Sequence, residues 1–167
     1  SAMGKMTNAF EKIVEAYVND STNLKPTIDH VRDFHLNILD DLFEERNEID
    51  TNVNFLLGEL ALFFSQNTSK NYNYIYDQVV GYGELLSTAI VSGYLNSIGI
   101  ENHWLDVREC IITDANYRDA KVDWDLTTRA ISIQVNTSQL QITQGFLGRS
   151  DNETTTLGRE GSDYTAG

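Results

Sequence analysis

The chain has one proline, one cysteine, two methionines and two tryptophans among 167 residues, and its basic residues are outnumbered two to one by its acids. A lone cysteine, Cys110, excludes both a disulfide framework and a cysteine metal site, and it fits a reducing compartment. The near-absence of proline points to long, uninterrupted elements. No apolar run approaches the roughly 18 residues of a membrane span, and no charged-then-apolar leader opens the chain. With 12 Lys and Arg against 25 Asp and Glu, the formal charge is −13. A duplex or an anionic lipid surface would repel such a chain, so neither nucleic acid nor membrane is expected as a partner. The expected location is the cytoplasm.

What is present is a helical first part and a mixed second part. Apolar residues at Phe10, Ile13, Val14, Tyr17 and Val18 form one helical face, with Thr7 placed to cap it. A second stripe runs through Ile28, Val31, Phe34, Ile38, Leu42 and Phe43. A third segment, Val53 to Phe64, is apolar nearly all round and is expected to be well buried. A fourth helix is expected from about Tyr74 to Ile98, stopped by Gly99. After that, "NHWLDV" (102–107), "CIITDA" (110–115) and "LQITQGFLG" (140–148) read as strands, with a helix at 124–135 between the last two. Residues 145–163 read as a glycine-rich loop. Strands alternating with helices imply an α/β fold with a parallel sheet, organised as one domain: a mostly helical part, 1–98, and a strand–helix–strand part, 99–167. The sheet is short of members for a chain of this size.

Single residues carry weaker signals. His30 and His35 stand about 140° apart around a helix and cannot share a face as metal ligands, so no metal site is expected. His103 falls on a strand and reads as structural. Glu84, in "GYGELLST", sits beside a buried helical face, where a carboxylate needs a partner. Arg159, in "LGREGSD", is suited to two-pronged capture of a carboxylate or phosphate from a loop that lets backbone approach a ligand. Ser162 and Asp163 then read as the cap and first turn of a further helix, an anion-favouring end.

Four blocks taken together say more. "SAMGKMTN" (1–8), "GELLSTAI" (83–90), "ITQGF" (142–146) and "TTTLGREGSDYTA" (154–166) occur in this order and at these separations in aspartate kinases, and the chain resembles that family along its whole length. The resemblance implies the three-layer αβα amino acid kinase fold and transfer of the γ-phosphoryl of Mg2+·ATP to the side-chain carboxylate of L-aspartate. That reaction opens lysine, threonine and methionine biosynthesis. It further implies that Ser1 and Thr7 belong to the first substrate loop. Glu84 would hold the α-ammonium of aspartate, Arg159 would clamp its α-carboxylate, Ser162 would bind substrate, and Asp163 would orient the catalytic lysine. A homo-oligomeric full-length enzyme is expected.

The chain departs from the family pattern at both ends. The opening lysine and Gly-Gly-Thr segment that precede the first block are absent, as are the nucleotide-binding half and regulatory domains that follow the last. The expectation is therefore an incomplete kinase domain, with most of the ATP and Mg2+ site outside it and no turnover by this chain alone. Glu160 stands where many members have glycine. The alternatives are another amino acid kinase, or a non-catalytic helical module that buries its apolar stripes against a partner.

Overall fold

The computed structural model describes residues 2–45 and 47–158. Helix α1, Met6–Val18, buries Phe10, Ile13, Val14 and Tyr17 along the face that the spacing predicts. It begins two residues earlier than a Thr7 cap implies. Lys5, in the left-handed region at φ 64°, is the capping position and its side chain makes no cap hydrogen bond. Thr7 therefore lies within the first turn and does not cap. Helix α2, Leu24–Leu42, carries Pro26 in its first turn, where a missing N–H leaves no helical bond unmade. Its buried stripe is Val31, His35 and Leu39.

Helix α3, Asn47–Gln66, corrects an expectation. Ile49, Val53, Leu56 and Leu60 are buried, but Phe55 and Leu62 are 64% and 53% exposed. The helix packs chiefly on α5, and among the described residues no second layer covers its outer face.

The predicted long helix from Tyr74 is two helices, α4 (Tyr72–Val80) and α5 (Tyr82–Ser97), divided at Gly81. Packing explains the glycine. A Cβ on Gly81 would stand 3.1 Å from Leu147 Cδ2 and 3.5 Å from Thr154 Cγ2, so the bare backbone admits the strands of the second part. Gly99 ends the pair as predicted, at φ 84°, where Ile100 N–H reaches back to Leu95 O. Residues 81–90 are all buried, which makes the start of α5 the centre of the molecule.

Strand β1 (His103–Leu105) pairs in parallel with β2 (Gln141–Thr143), and helix α6 (Trp124–Gln134) lies between them in sequence. "CIITDA" does not form a strand. Val107–Glu109 is a 3-10 turn, and Ile112 and Thr113 make single bridges to Arg149 and Val122. Thr127 Oγ1, from α6, takes the Ile112 N–H that a ladder would have used. The predicted strand 140–148 also divides, because Gln144 turns inward and Phe146 adopts φ 72°. Beyond it the expected loop is a hairpin: β3 (Leu147–Ser150) runs antiparallel to β4 (Glu153–Thr156). Its two-residue connection is Asp151-Asn152, with Asp151 at φ 51°.

Candidate functional site

The site is built around the start of α5. Glu84, in its first turn, is 9% exposed. Its Oε1 accepts the Ala2 N–H at 2.9 Å, across 82 residues of sequence. Ala2 is also the nearest neighbour of Gly83, where an added Cβ would stand 3.1 Å from its Cβ and 3.3 Å from the Phe10 ring. The loop of the first block and the acid of the second are thus one surface. Thr7, half-buried, lies one helical turn before Phe10.

The third block is fastened beneath. Gln144 is 1% exposed and donates Nε2–H to Thr88 Oγ1 at 2.8 Å, while its Oε1 accepts Val107 N–H at 2.8 Å. Thr88 Oγ1 also receives Trp104 Nε1–H at 2.9 Å and itself donates to Glu84 O at 2.9 Å. A buried amide satisfied on both sides fixes the register between β2 and α5 more tightly than apolar contact would.

The strand that leads into the fourth block is held by α4. Gln78 Nε2–H donates to Thr154 O at 2.7 Å and Gln78 Oε1 accepts Thr154 N–H at 3.0 Å, so this side chain pairs with β4 as a neighbouring strand would. Asp77, fully buried, accepts Thr156 N–H (2.9 Å) and Thr156 Oγ1–H (2.8 Å) together with Arg118 N–H (2.9 Å). Burial raises the Asp77 carboxyl to about 6 in spite of these three donors. The Arg118 guanidinium stacks 4.3 Å over the Tyr76 ring. Tyr82, beside Glu84, is pushed up to about 12 by burial and by the charge of Glu59. Burial likewise pushes the Cys110 thiol up, which fits an inert core residue.

Of the residues singled out in the sequence, Glu84 and Thr7 fall in this arrangement. Ser1, Arg159, Glu160, Ser162 and Asp163, and the helix expected from Ser162, lie outside the described residues. Among the described residues no group of three His, Cys, Asp or Glu side chains could hold a metal ion. His35 is buried between the Phe10 and Phe34 rings, with Val31 O at 2.7 Å from Nδ1; His30 and His103 are exposed. Asp77, Gln78, Thr88 and Gln144 are not among the residues singled out in the sequence. Thr88 and Gln144 carried a signal only by falling within the blocks "GELLSTAI" and "ITQGF".

This combination of a buried acid at a helix start, an N-terminal loop against it and a clamped strand behind it belongs to a defined class. Residues 2–167 match the amino acid kinase family, and the chain is a member of that family. The fold is the amino acid kinase fold, in part.

Within the family, the chain is similar to aspartokinases. It is 32% identical to the lysine-sensitive aspartokinase 3 of Escherichia coli (strain K12), over 83% of this chain and 32% of that protein. To the chloroplastic aspartokinase 1 of Arabidopsis thaliana it is 30% identical, over 99% of this chain and 31% of that protein. The crystal structure of E. coli aspartokinase III in complex with lysine and aspartate (T-state) shares 29% identity and a TM-score of 0.86, covering 99% of this chain and 38% of that one. The same enzyme in complex with aspartate and ADP (R-state) gives a TM-score of 0.85. The chain spans about a third of the length of these relatives. Among the described residues no helix is long and apolar enough to cross a membrane.

Proposed function

We propose that the protein carrying this chain is an aspartate kinase, which phosphorylates the side-chain carboxylate of L-aspartate to give 4-phospho-L-aspartate. The observation that supports it best is Glu84: a carboxylate enclosed at the start of α5 and oriented through Oε1 by the Ala2 amide. An enclosed carboxylate favours a cationic group of a ligand, and the α-ammonium of an amino acid is such a group. Arg159, the residue that follows Leu157 and Gly158 after β4, takes the α-carboxylate in this reading. Ser1, Thr7 and Ser162 complete the substrate contacts, and Asp163 orients the lysine that approaches the transferred phosphoryl. Holding the zwitterion at both ends aims the remaining carboxylate, and phosphoryl transfer depends mainly on such positioning.

ATP supplies the phosphoryl group when bound. In this reading most of the nucleotide and Mg2+ site belongs to other parts of the protein, and this chain by itself is expected to be inactive. The likeness to an enzyme crystallised with aspartate and ADP supports both ligands. Entry into lysine, threonine and methionine synthesis, a cytoplasmic location and a homo-oligomeric assembly follow from the same reading.

The test is acyl-phosphate formation from ATP and L-aspartate, trapped with hydroxylamine, for this chain and for a form extended at both ends to the length of its relatives. Turnover in the extended form alone is expected. Turnover with another acid in place of aspartate would keep the fold and overturn the substrate.

A further inference from the structure

We propose that His35 makes the first substrate loop sensitive to pH: the loop packs over its neutral imidazole alone, and protonation loosens both that loop and Glu84, weakening the hold on aspartate. This rests on the aspartate kinase reading and adds a regulation to the same site.

His35 stands at the middle of the buried stripe of α2, between Val31 and Leu39, and is wholly enclosed. Its Nδ1 lies 2.7 Å from Val31 O, one turn back. A carbonyl can only accept, so Nδ1 carries the hydrogen and Nε2 is a bare lone pair. Nε2 is buried, and among the described residues no donor reaches it. Packing does not need an imidazole here. An apolar side chain would fill the stripe without leaving a polar atom unmet. What the imidazole has, and an apolar residue lacks, is a proton affinity near neutrality.

The enclosure tolerates only one of the two states. Imidazolium would place a second N–H on Nε2 with no acceptor beside it, and a charge in an apolar setting. The charged groups nearest this contact along the chain are Lys5 in the loop, Arg32 on α2, Glu11 and Lys12 after Phe10 on α1, and Glu84 on α5. None of them acts on the ring: burial holds its proton affinity below the ordinary 6.5, and the Val31 carbonyl opposes that in part. A loosened state, in which Nε2–H reaches water, has the ordinary value. Falling pH therefore favours the loosened state from 6.5 down to the lower value of the packed ring, and no further.

Two rings carry the change outward. Phe34 stands edge-on to His35 with ring centroids 5.2 Å apart, and Phe10 is tilted against it at 6.3 Å. Each ring also props a part of the site. A Cβ on Gly4, in the loop, would stand 3.5 Å from Phe34 Cζ, and one on Gly83 would stand 3.3 Å from Phe10 Cδ2. Between these props Ala2 N–H donates to Glu84 Oε1. The loop and the acid thus rest on the two rings that enclose His35. A shift of α2 that frees Nε2 withdraws support from both. By reciprocity, aspartate bound to the packed loop opposes protonation of His35.

The test uses the kinase extended to the length of its relatives, as wild type and as His35→Leu. KM is measured separately for aspartate and ATP across acid pH, and the His35 ring is titrated by NMR with and without saturating aspartate. In the wild type, aspartate KM should rise about three- to tenfold as pH falls from about 7 to 5.5, with ATP KM within about twofold. His35→Leu should hold aspartate KM within about twofold over the same range. Glu84 and Asp77 are present in both proteins, so the difference between them belongs to His35. Saturating aspartate should lower the His35 titration midpoint by the logarithm of the same factor, about 0.5–1 pH unit. A flat wild-type profile, equal rises in both KM values, an equal acid rise in His35→Leu, or a midpoint that aspartate leaves in place would each overturn the proposal and leave the kinase reading intact. The NMR titration needs only the wild type, so it decides the matter even where His35→Leu fails to fold. If the wild type phosphorylates a different acid, and that acid lowers the midpoint, the substrate reading fails and the switch stands.

Discussion

At the scale of single residues, Glu84 carries the strongest chemical expectation. Replacing it with glutamine preserves shape and leaves Ala2 N–H an acceptor, but removes the charge that matches an ammonium. Losing a charge-assisted contact of this kind costs about 2–4 kcal/mol, so Glu84→Gln in the extended enzyme should lower kcat/KM for aspartate by about 30- to 1000-fold with little change in melting temperature. Steady-state kinetics beside a thermal melt would check it; a matching loss of Tm would assign Glu84 to the core instead.

Two buried groups give opposite pH dependences. His35 is held neutral by desolvation, below its ordinary 6.5, so its contribution to stability is lost as pH falls from 6.5 through the lower folded value. His35→Phe should flatten the acid side of a denaturation-midpoint profile. Asp77 is raised from 3.8 to about 6, so its contribution is present below 3.8 and lost as pH rises through 6. Arg118, which faces it, moderates the effect. Asp77→Asn should therefore gain stability relative to wild type as pH rises from 4 to 7, by about 1–3 kcal/mol, measured as a widening difference in urea midpoint. A constant difference across that range would show that Asp77 is not buried at the expense of its charge.

At the scale of elements, the helices were legible because a buried helix face repeats every three to four residues. Phe10, Ile13, Val14 and Tyr17 mark α1 without help from elsewhere. The failures arose where tertiary partners decided. Gly81 in "VVGYG" is compatible with a continuous helix, and only Leu147 pressing on it shows why no side chain fits there. A side chain at 81 would have to displace that leucine. Gly81→Val is expected to cost about 1–3 kcal/mol, read as a lower urea midpoint, and to loosen β3–β4. The hairpin itself was missed because Asp151-Asn152 is a weaker turn signal than Asn-Gly, although Thr154–Thr156 is a β-branched run. Gln144 offers a sharper test of element registry. Gln144→Leu would strand Val107 N–H and remove a partner from Thr88, at about 1–3 kcal/mol per buried group left unsatisfied.

At the scale of the molecule, the described residues present apolar side chains that a finished surface would cover. Trp124 and Ile133 on α6 are 65% and 80% exposed, and Leu140 beside β2 is 51% exposed. Strands β1 and β2 pair only with each other among the described residues, which leaves outer edges able to template association. This chain by itself should sediment with concentration-dependent mass, and a form extended to the length of its relatives should lose that dependence. Persistence of the association in the extended form would instead mark the face as an interface between copies.

The residue pattern by itself determined the helical first part and the order of four motif blocks, because periodicity and spacing are local properties. It also marked Glu84. What only the tertiary structure decided is which blocks touch and what holds them: Ala2 against Glu84, Gln144 under Thr88, and Asp77 gripping Thr156. Those contacts join residues 56 to 82 positions apart. A buried hydrogen bond depends on where two distant elements dock, and no local pattern along the chain encodes that.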